Sequence, residues 1–83
     1  MNSIDTQQAK IMFSAGKFKF ASVTKSLLSD DWNLYLSGKD DSFVLQKQRG
    51  GDAIYKTIDA ACKSARSIGF RKVTVDFSRF VGG

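Results

Sequence analysis

The chain has no histidine among its 83 residues, which removes the commonest general base and the commonest metal ligand. All of its acids are aspartates, and four of them form two adjacent pairs, Asp30-Asp31 and Asp40-Asp41. Such a pair can help to hold a hard cation, but neither pair is followed by the spacing of a calcium-binding loop. The pattern favours two solvated turns, and we expect no metal site.

A single cysteine and a pair of glycines are the other candidates for chemistry. Cys62 lies on the apolar stripe of a predicted helix, which favours a buried thiol over a reactive one. Gly50-Gly51 precedes a short predicted strand and no Lys-Ser or Lys-Thr follows it, so neither the phosphate-loop nor the dinucleotide-binding pattern is met. We predict that the protein is not an enzyme and uses no cofactor.

The residue types support a polyanion-binding surface better than a catalytic site. Lysine and arginine neutralise phosphates, tyrosine stacks on bases, and the amides of asparagine and glutamine bond to base edges. We expect one face of the predicted sheet to combine these types and to bind nucleic acid, single-stranded DNA first. The same composition also suits the solvent-facing side of an ordinary antiparallel sheet, and that alternative stays open. The predicted site comprises Lys17, Lys19, Asn33, Tyr35, Gln46 and Gln48, with Arg49, Tyr55 and Lys56 at its margin.

Composition and charge limit the class of protein. Thirteen basic and eight acidic residues leave a net charge of +5, and 42% of the residues are apolar. This balance argues against disorder, and no apolar run approaches the roughly 18 residues of a membrane-spanning helix. The start of the chain also lacks the basic and apolar regions of a signal peptide. We expect a single domain over residues 1–83, in the cytoplasm, with no membrane partner.

A helix over residues 58–68 is the clearest element in the chain. Its apolar residues, which include Ile58, Ala65 and Ile68, recur at helical spacing on one stripe. Thr57 can cap its start through the side-chain hydroxyl, and Gly69 can take the left-handed position that ends it.

A second helix of about a dozen residues is predicted near the start of the chain, with Ser3 or Asp5 as its cap and Gly16 at its end. Between the helices, Trp32, Leu34 and Leu36 alternate with polar residues and should face the core.

Period-two alternation and turn residues predict the strands of the sheet. Phe18 and Phe20, which alternate with lysines, are expected to face the helices. The predicted fold is therefore α+β: an antiparallel sheet of four to five strands with two helices on one face, in the order α-β-β-β-(β)-α-β. The strands are predicted over residues 17–24, 32–37, 42–48, 53–56 and 71–77, and the tail over 78–83 is expected to fray.

The stretch Arg49-Gly50-Gly51, Ile54 to Ala61, Ile68-Gly69-Phe70 and Val73 resembles a strand-helix-strand segment of short accessory proteins carried by plasmids, integrative elements and phages. The resemblance covers about a third of the chain. Such elements encode small basic proteins that bind DNA, control replication or counter host defence, and the resemblance implies that neighbourhood.

Two classes of function stay open. One is a nucleic-acid-binding module, whose affinity would fall steeply with salt. The other is a non-catalytic inhibitor or adaptor that binds a protein through an apolar patch or a sheet edge and depends on salt much less. A homodimer is compatible with either. If the sheet face binds no nucleic acid, the next basic surface is Arg66, Arg71, Lys72 and Arg79.

Overall fold

The computed structural model describes residues 2–26, 30–47, 51 and 53–76, and within them a sheet of five strands carries two helices on one face. The predicted α+β class is confirmed. The predicted tail over 78–83 lies outside the described residues. The strands are β1 (Asn2–Asp5), β2 (Phe20–Lys25), β3 (Trp32–Ser37), β4 (Ser42–Gln46) and β5 (Val73–Asp76), and the helices are α1 (Thr6–Ser14) and α2 (Ile58–Ile68).

The sheet is mixed, so the prediction of a purely antiparallel sheet was wrong. Its spatial order is β1-β4-β3-β2-β5, in which β3 is antiparallel to both neighbours while the edge strands β1 and β5 are parallel to theirs. Helix α1 joins β1 to β2 and α2 joins β4 to β5, and strands joined through a helix commonly lie parallel. Both crossovers run in the same direction across the sheet. Because such crossovers are right-handed, both helices fall on one face.

Strand β1 lies where the sequence predicted the start of the first helix. Asp5 separates the two elements, because its side chain accepts a hydrogen bond from the Gln8 backbone N–H at 2.8 Å while Gln8 Oε1 accepts one from the Asp5 N–H at 3.4 Å. This reciprocal pair is a capping box, and it fixes the helix start at Thr6. Ile4 therefore belongs to the strand, where it is buried opposite Leu45. Of the two predicted caps, Asp5 is the one observed and Ser3 lies in β1, and the predicted helix was too long.

Helix α2 has the bounds that the sequence predicted. The Thr57 hydroxyl accepts a hydrogen bond from the Ala60 N–H at 3.1 Å, and Gly69 ends the helix. The predicted stripe faces inward, with Ala61, Ala65 and Ile68 buried.

The core lies between the sheet and the helices. Leu34 and Leu36 of β3 are fully buried, as predicted, and Ala21 and Val23 of β2 lie opposite them across the strand pair. The inward placement of Phe20 was wrong, since this ring is 51% exposed. The reason is that β2 begins only at Phe20, and its pairing with β3 turns Ala21 and Val23 inward.

The predicted strand over residues 53–56 was wrong, because the structure reduces it to one bridge. Tyr55 exchanges two backbone hydrogen bonds with Trp32, at 2.8 and 2.9 Å, and the Ala53 N–H donates to the Leu45 carbonyl at 3.0 Å. The segment thus joins β3 to β4 at the end of the sheet where these two strands no longer pair.

We expect Gly69→Ala to lower the free energy of unfolding by about 2 to 4 kcal/mol in urea denaturation. Gly69 has a φ of +137°, and a Cβ there would lie 2.6 Å from Cε1 of Phe13. The Phe13 ring packs against Phe70 with 4.8 Å between centroids, so it cannot retreat without losing that contact. The matched control is Gly16→Ala, where φ is +73° and the added Cβ meets nothing within 4 Å. That variant should lose only about 1 kcal/mol, and equal losses would contradict a role for the Phe13 contact.

Candidate nucleic-acid interface

The side of the sheet opposite the helices, here called the outer face, differs from the predicted cationic surface. None of the five described strands contributes a lysine or an arginine to it, because the one basic strand residue, Lys25, shares the inward face with Val23. Its members by register are Ser3, Asp5, Phe20, Ser22, Thr24, Asn33, Tyr35, Ser37, Ser42, Val44, Gln46, Thr74 and Asp76.

Three of the predicted site residues lie on the outer face. Tyr35 and Gln46 are half-buried there. Asn33 is buried, and its side-chain amide donates a hydrogen bond to the Ala53 carbonyl at 3.2 Å. Thr24 beside it is also buried, so this end of the outer face offers little to a ligand.

The other predicted site residues lie elsewhere. Lys17 and Lys19 are exposed in the connection that precedes β2, outside the strand itself. Tyr55 lies on the helix side, where its hydroxyl donates a hydrogen bond to Ser64 Oγ of α2 at 2.8 Å. Lys56 pairs with Asp31, with 3.2 Å between Nζ and Oδ1. Gln48 and Arg49 lie outside the described residues. The structure therefore does not gather the predicted set into one surface.

Charges are instead divided between the two ends of the molecule. At the end where the helices begin, three lysines are held in ion pairs with aspartates: Lys25 with Asp30, Lys56 with Asp31 and Lys63 with Asp59, at 3.2 to 3.5 Å. Asp5 and Asp76 lie at the same end.

The opposite end, where β2 and β5 begin and both helices finish, is here called the basic end. It carries four exposed basic residues, Lys17, Lys19, Arg71 and Lys72, together with the exposed turn before β4, which holds Lys39, Asp40 and Asp41. None of the four basic residues forms an ion pair with an acid in the described part of the chain.

An open groove of about 680 Å³ lies at the basic end, and we call it the Phe20 groove. Its aromatic floor is fixed by ring contacts, because Phe70 lies 4.8 Å from Phe13 and 5.9 Å from Phe18 between centroids. The groove is lined by Phe13, Phe18, Lys19, Phe20, Gly69, Phe70, Arg71, Lys72 and Thr74.

The pairing of β5 with β2 brings the basic residues to the exposed ring. Ala21 lies opposite Val73, and continuing this parallel register by one residue places Phe20 beside Lys72. Neighbouring strands lie about 4.8 Å apart, so Phe20 and Lys72 are in side-chain reach of each other. Lys19 and Arg71 precede the two strands and line the same groove. The result is a flat apolar ring with cations close to it, which suits a nucleobase with its phosphate.

Arg71 and Lys72 were predicted only as part of a second basic surface, and Phe20 was predicted to face the core. The sequence does indicate that Lys72 faces solvent, because Lys72, Thr74 and Asp76 alternate with the apolar Val73 and Val75. This alternation does not indicate which strand lies next to β5.

In the part of the chain that the structure describes, no three metal-ligating side chains come close enough to hold an ion. Neither described helix is long and apolar enough to cross a membrane. Comparison with protein-family models, with curated proteins and with solved structures found no match.

Proposed function

We propose that the protein binds single-stranded nucleic acid, DNA first, in the Phe20 groove. One observation carries the proposal: a half-exposed phenyl ring lies beside cations that no described acid neutralises, while three lysines at the opposite end are in ion pairs. Because the cations beside Phe20 form no ion pair with a described acid, the electrostatic potential there is more positive than an even spread of the net charge of +5 would give.

The exposed ring favours a single strand over a duplex. Bases in a duplex are stacked on one another, so their flat faces are closed to a protein side chain. An unpaired base can lie on the Phe20 ring while its phosphate meets Lys72 or Arg71. A duplex would use the cations alone.

Titration of fluorescently labelled oligonucleotides tests this function. We expect a single-stranded oligodeoxythymidine to bind about tenfold more tightly than a duplex of equal length, because only the single strand can stack on Phe20. With three or four phosphates neutralised, raising salt from about 50 to about 200 mM should weaken binding of the single strand by about twenty- to fiftyfold. Absence of binding to either oligonucleotide at the lower salt would contradict the proposal.

The second candidate is a protein-binding inhibitor or adaptor, and one observation favours it. Ile11 of α1 is 67% exposed. It borders a mostly apolar groove of about 310 Å³, which lies beside the edge strand β1 and is also lined by Ser3, Ile4, Gln8, Met12 and Phe43. Binding there would depend little on salt, so the oligonucleotide titration separates the two functions. Either function is in keeping with the accessory proteins of mobile elements that residues 49–73 resemble.

A further inference from the structure

We infer that the Phe20 groove takes a short segment of single-stranded DNA, about three nucleotides long, with one base on the Phe20 ring. This inference rests on the proposed function and adds the length and position of the bound strand. The length follows from the number of basic residues that line the groove, which are Lys19, Arg71 and Lys72. Each neutralises one phosphate.

Acidic residues limit the length of the bound DNA on the side of β4. Phe20 lies opposite Ser37, and Ser37 lies opposite Ser42. DNA that crosses the outer face from Phe20 therefore reaches the turn before β4 after two β-strand spacings, about 10 Å. That turn exposes Asp40 and Asp41. Lys39 precedes them and offsets one charge, which leaves the turn with a net charge of −1. A phosphate there lies within about one Debye length of that charge and is repelled.

The length of the bound DNA is also limited along the direction of β2. Beyond Ser22 the outer face is closed at Thr24 and Asn33, which are buried, and Asp76 lies opposite Thr24. Along β2, the open part of the outer face is therefore the region around Phe20. None of the described strands carries a lysine or an arginine on this face, so longer DNA would meet no further cation on them.

The uncharged polar groups beside Phe20 on the outer face are hydroxyls, and they affect which bases can bind. Ser37 lies opposite Phe20 on β3, while Ser22 and its partner Thr74 are the next outer-face residues along β2 and β5. A hydroxyl both donates and accepts hydrogen bonds, so it can meet the edge of any base. We expect affinities for different bases to agree within about threefold, since every base has a face that stacks on an aromatic ring.

A length series tests the inference. Oligodeoxythymidines that carry a 5′-phosphate, and so one phosphate per nucleotide, should gain affinity steeply up to about three nucleotides and then only in proportion to the number of positions at which the groove can bind them. The slope of log affinity against log salt should be about −2, as expected for three phosphates on a single strand. A steep gain that continues beyond about eight nucleotides, or a slope steeper than about −4, would overturn the inference and leave the proposed function standing. No binding at any length would overturn both.

Two sets of variants sharpen the test. Asp40→Asn with Asp41→Asn should strengthen binding of a twelve-nucleotide strand about two- to fivefold and leave the trinucleotide unchanged, because the limit on the longer strand is removed. Asp59→Asn, at the opposite end, is the control and should change neither. An unchanged twelve-nucleotide affinity in the double variant would overturn the acidic boundary.

Phe20→Leu keeps an apolar side chain but removes the ring, so it should weaken trinucleotide binding by about fivefold or more. Phe20→Tyr should retain both the affinity and the quenching of a 2-aminopurine base placed in the trinucleotide. Equal affinity and equal quenching in the leucine variant would show that no base stacks on this residue.

Discussion

Replacing Leu34 with aspartate should unfold the protein. Leu34 is fully buried in β3, the central strand, and packs under the helices with Leu36 and Val23. The substitution removes a large apolar side chain and places a carboxylate where no described partner can neutralise it, which costs about 4 kcal/mol or more. The whole stability of a small domain is about 5 to 10 kcal/mol. Loss of the far-ultraviolet circular dichroism spectrum and of cooperative thermal unfolding would measure the effect.

Ser42→Asp is the matched control for the Leu34 variant. It introduces the same carboxylate into the neighbouring strand β4, but at an exposed position on the outer face. The free energy of unfolding should change by no more than about 0.5 kcal/mol. A Leu34→Asp protein that stayed folded with an unchanged spectrum would show that this side chain does not face the core.

Reversing the charges of Arg71 and Lys72 to glutamate should weaken binding of single-stranded DNA by more than about a hundredfold. The change removes two of the three cations that line the Phe20 groove and adds two anions that repel the phosphates. Both side chains are exposed, so the fold should persist, and the circular dichroism spectrum checks this. Fluorescence anisotropy at low salt measures the affinity.

The control for this charge reversal is Lys10→Glu with Lys47→Glu, which changes the net charge by the same amount. Both lysines are exposed and neither lines the Phe20 groove. If binding depended only on net charge, the two double variants would lose affinity equally, and the assignment of the groove would fail. Loss confined to the Arg71 and Lys72 variant identifies the basic end as the binding surface.

Helix α2 shows how much local sequence determines. Its cap at Thr57, its end at Gly69 and its apolar stripe all lie within 13 consecutive residues, and the structure has the helix over the predicted span. The inward placement of Leu34 and Leu36 is also local, because alternation along one strand is enough to predict it.

The sequence was a weaker guide where a strand depends on a distant partner. Strand β1 has only four residues and exists through its parallel pairing with β4, some 40 positions away. The alternation of Lys17 to Phe20 predicted that both phenylalanines face inward. Which residues of β2 point inward is decided by its register with β3, and a shift of one residue exchanges the two faces.

By itself the sequence determined the α+β class, the second helix, the inward side of β3 and the excess of basic residues. Only the tertiary structure decided where those basic residues meet. Arg71 and Lys72 are more than 50 positions from Lys19 and Phe20, and they meet because β5 pairs with β2 in parallel at one edge of the sheet. The same topology places three lysines beside aspartates at the other end. Local patterns cannot encode this separation of charge, because it arises from contacts between elements that are far apart in the chain.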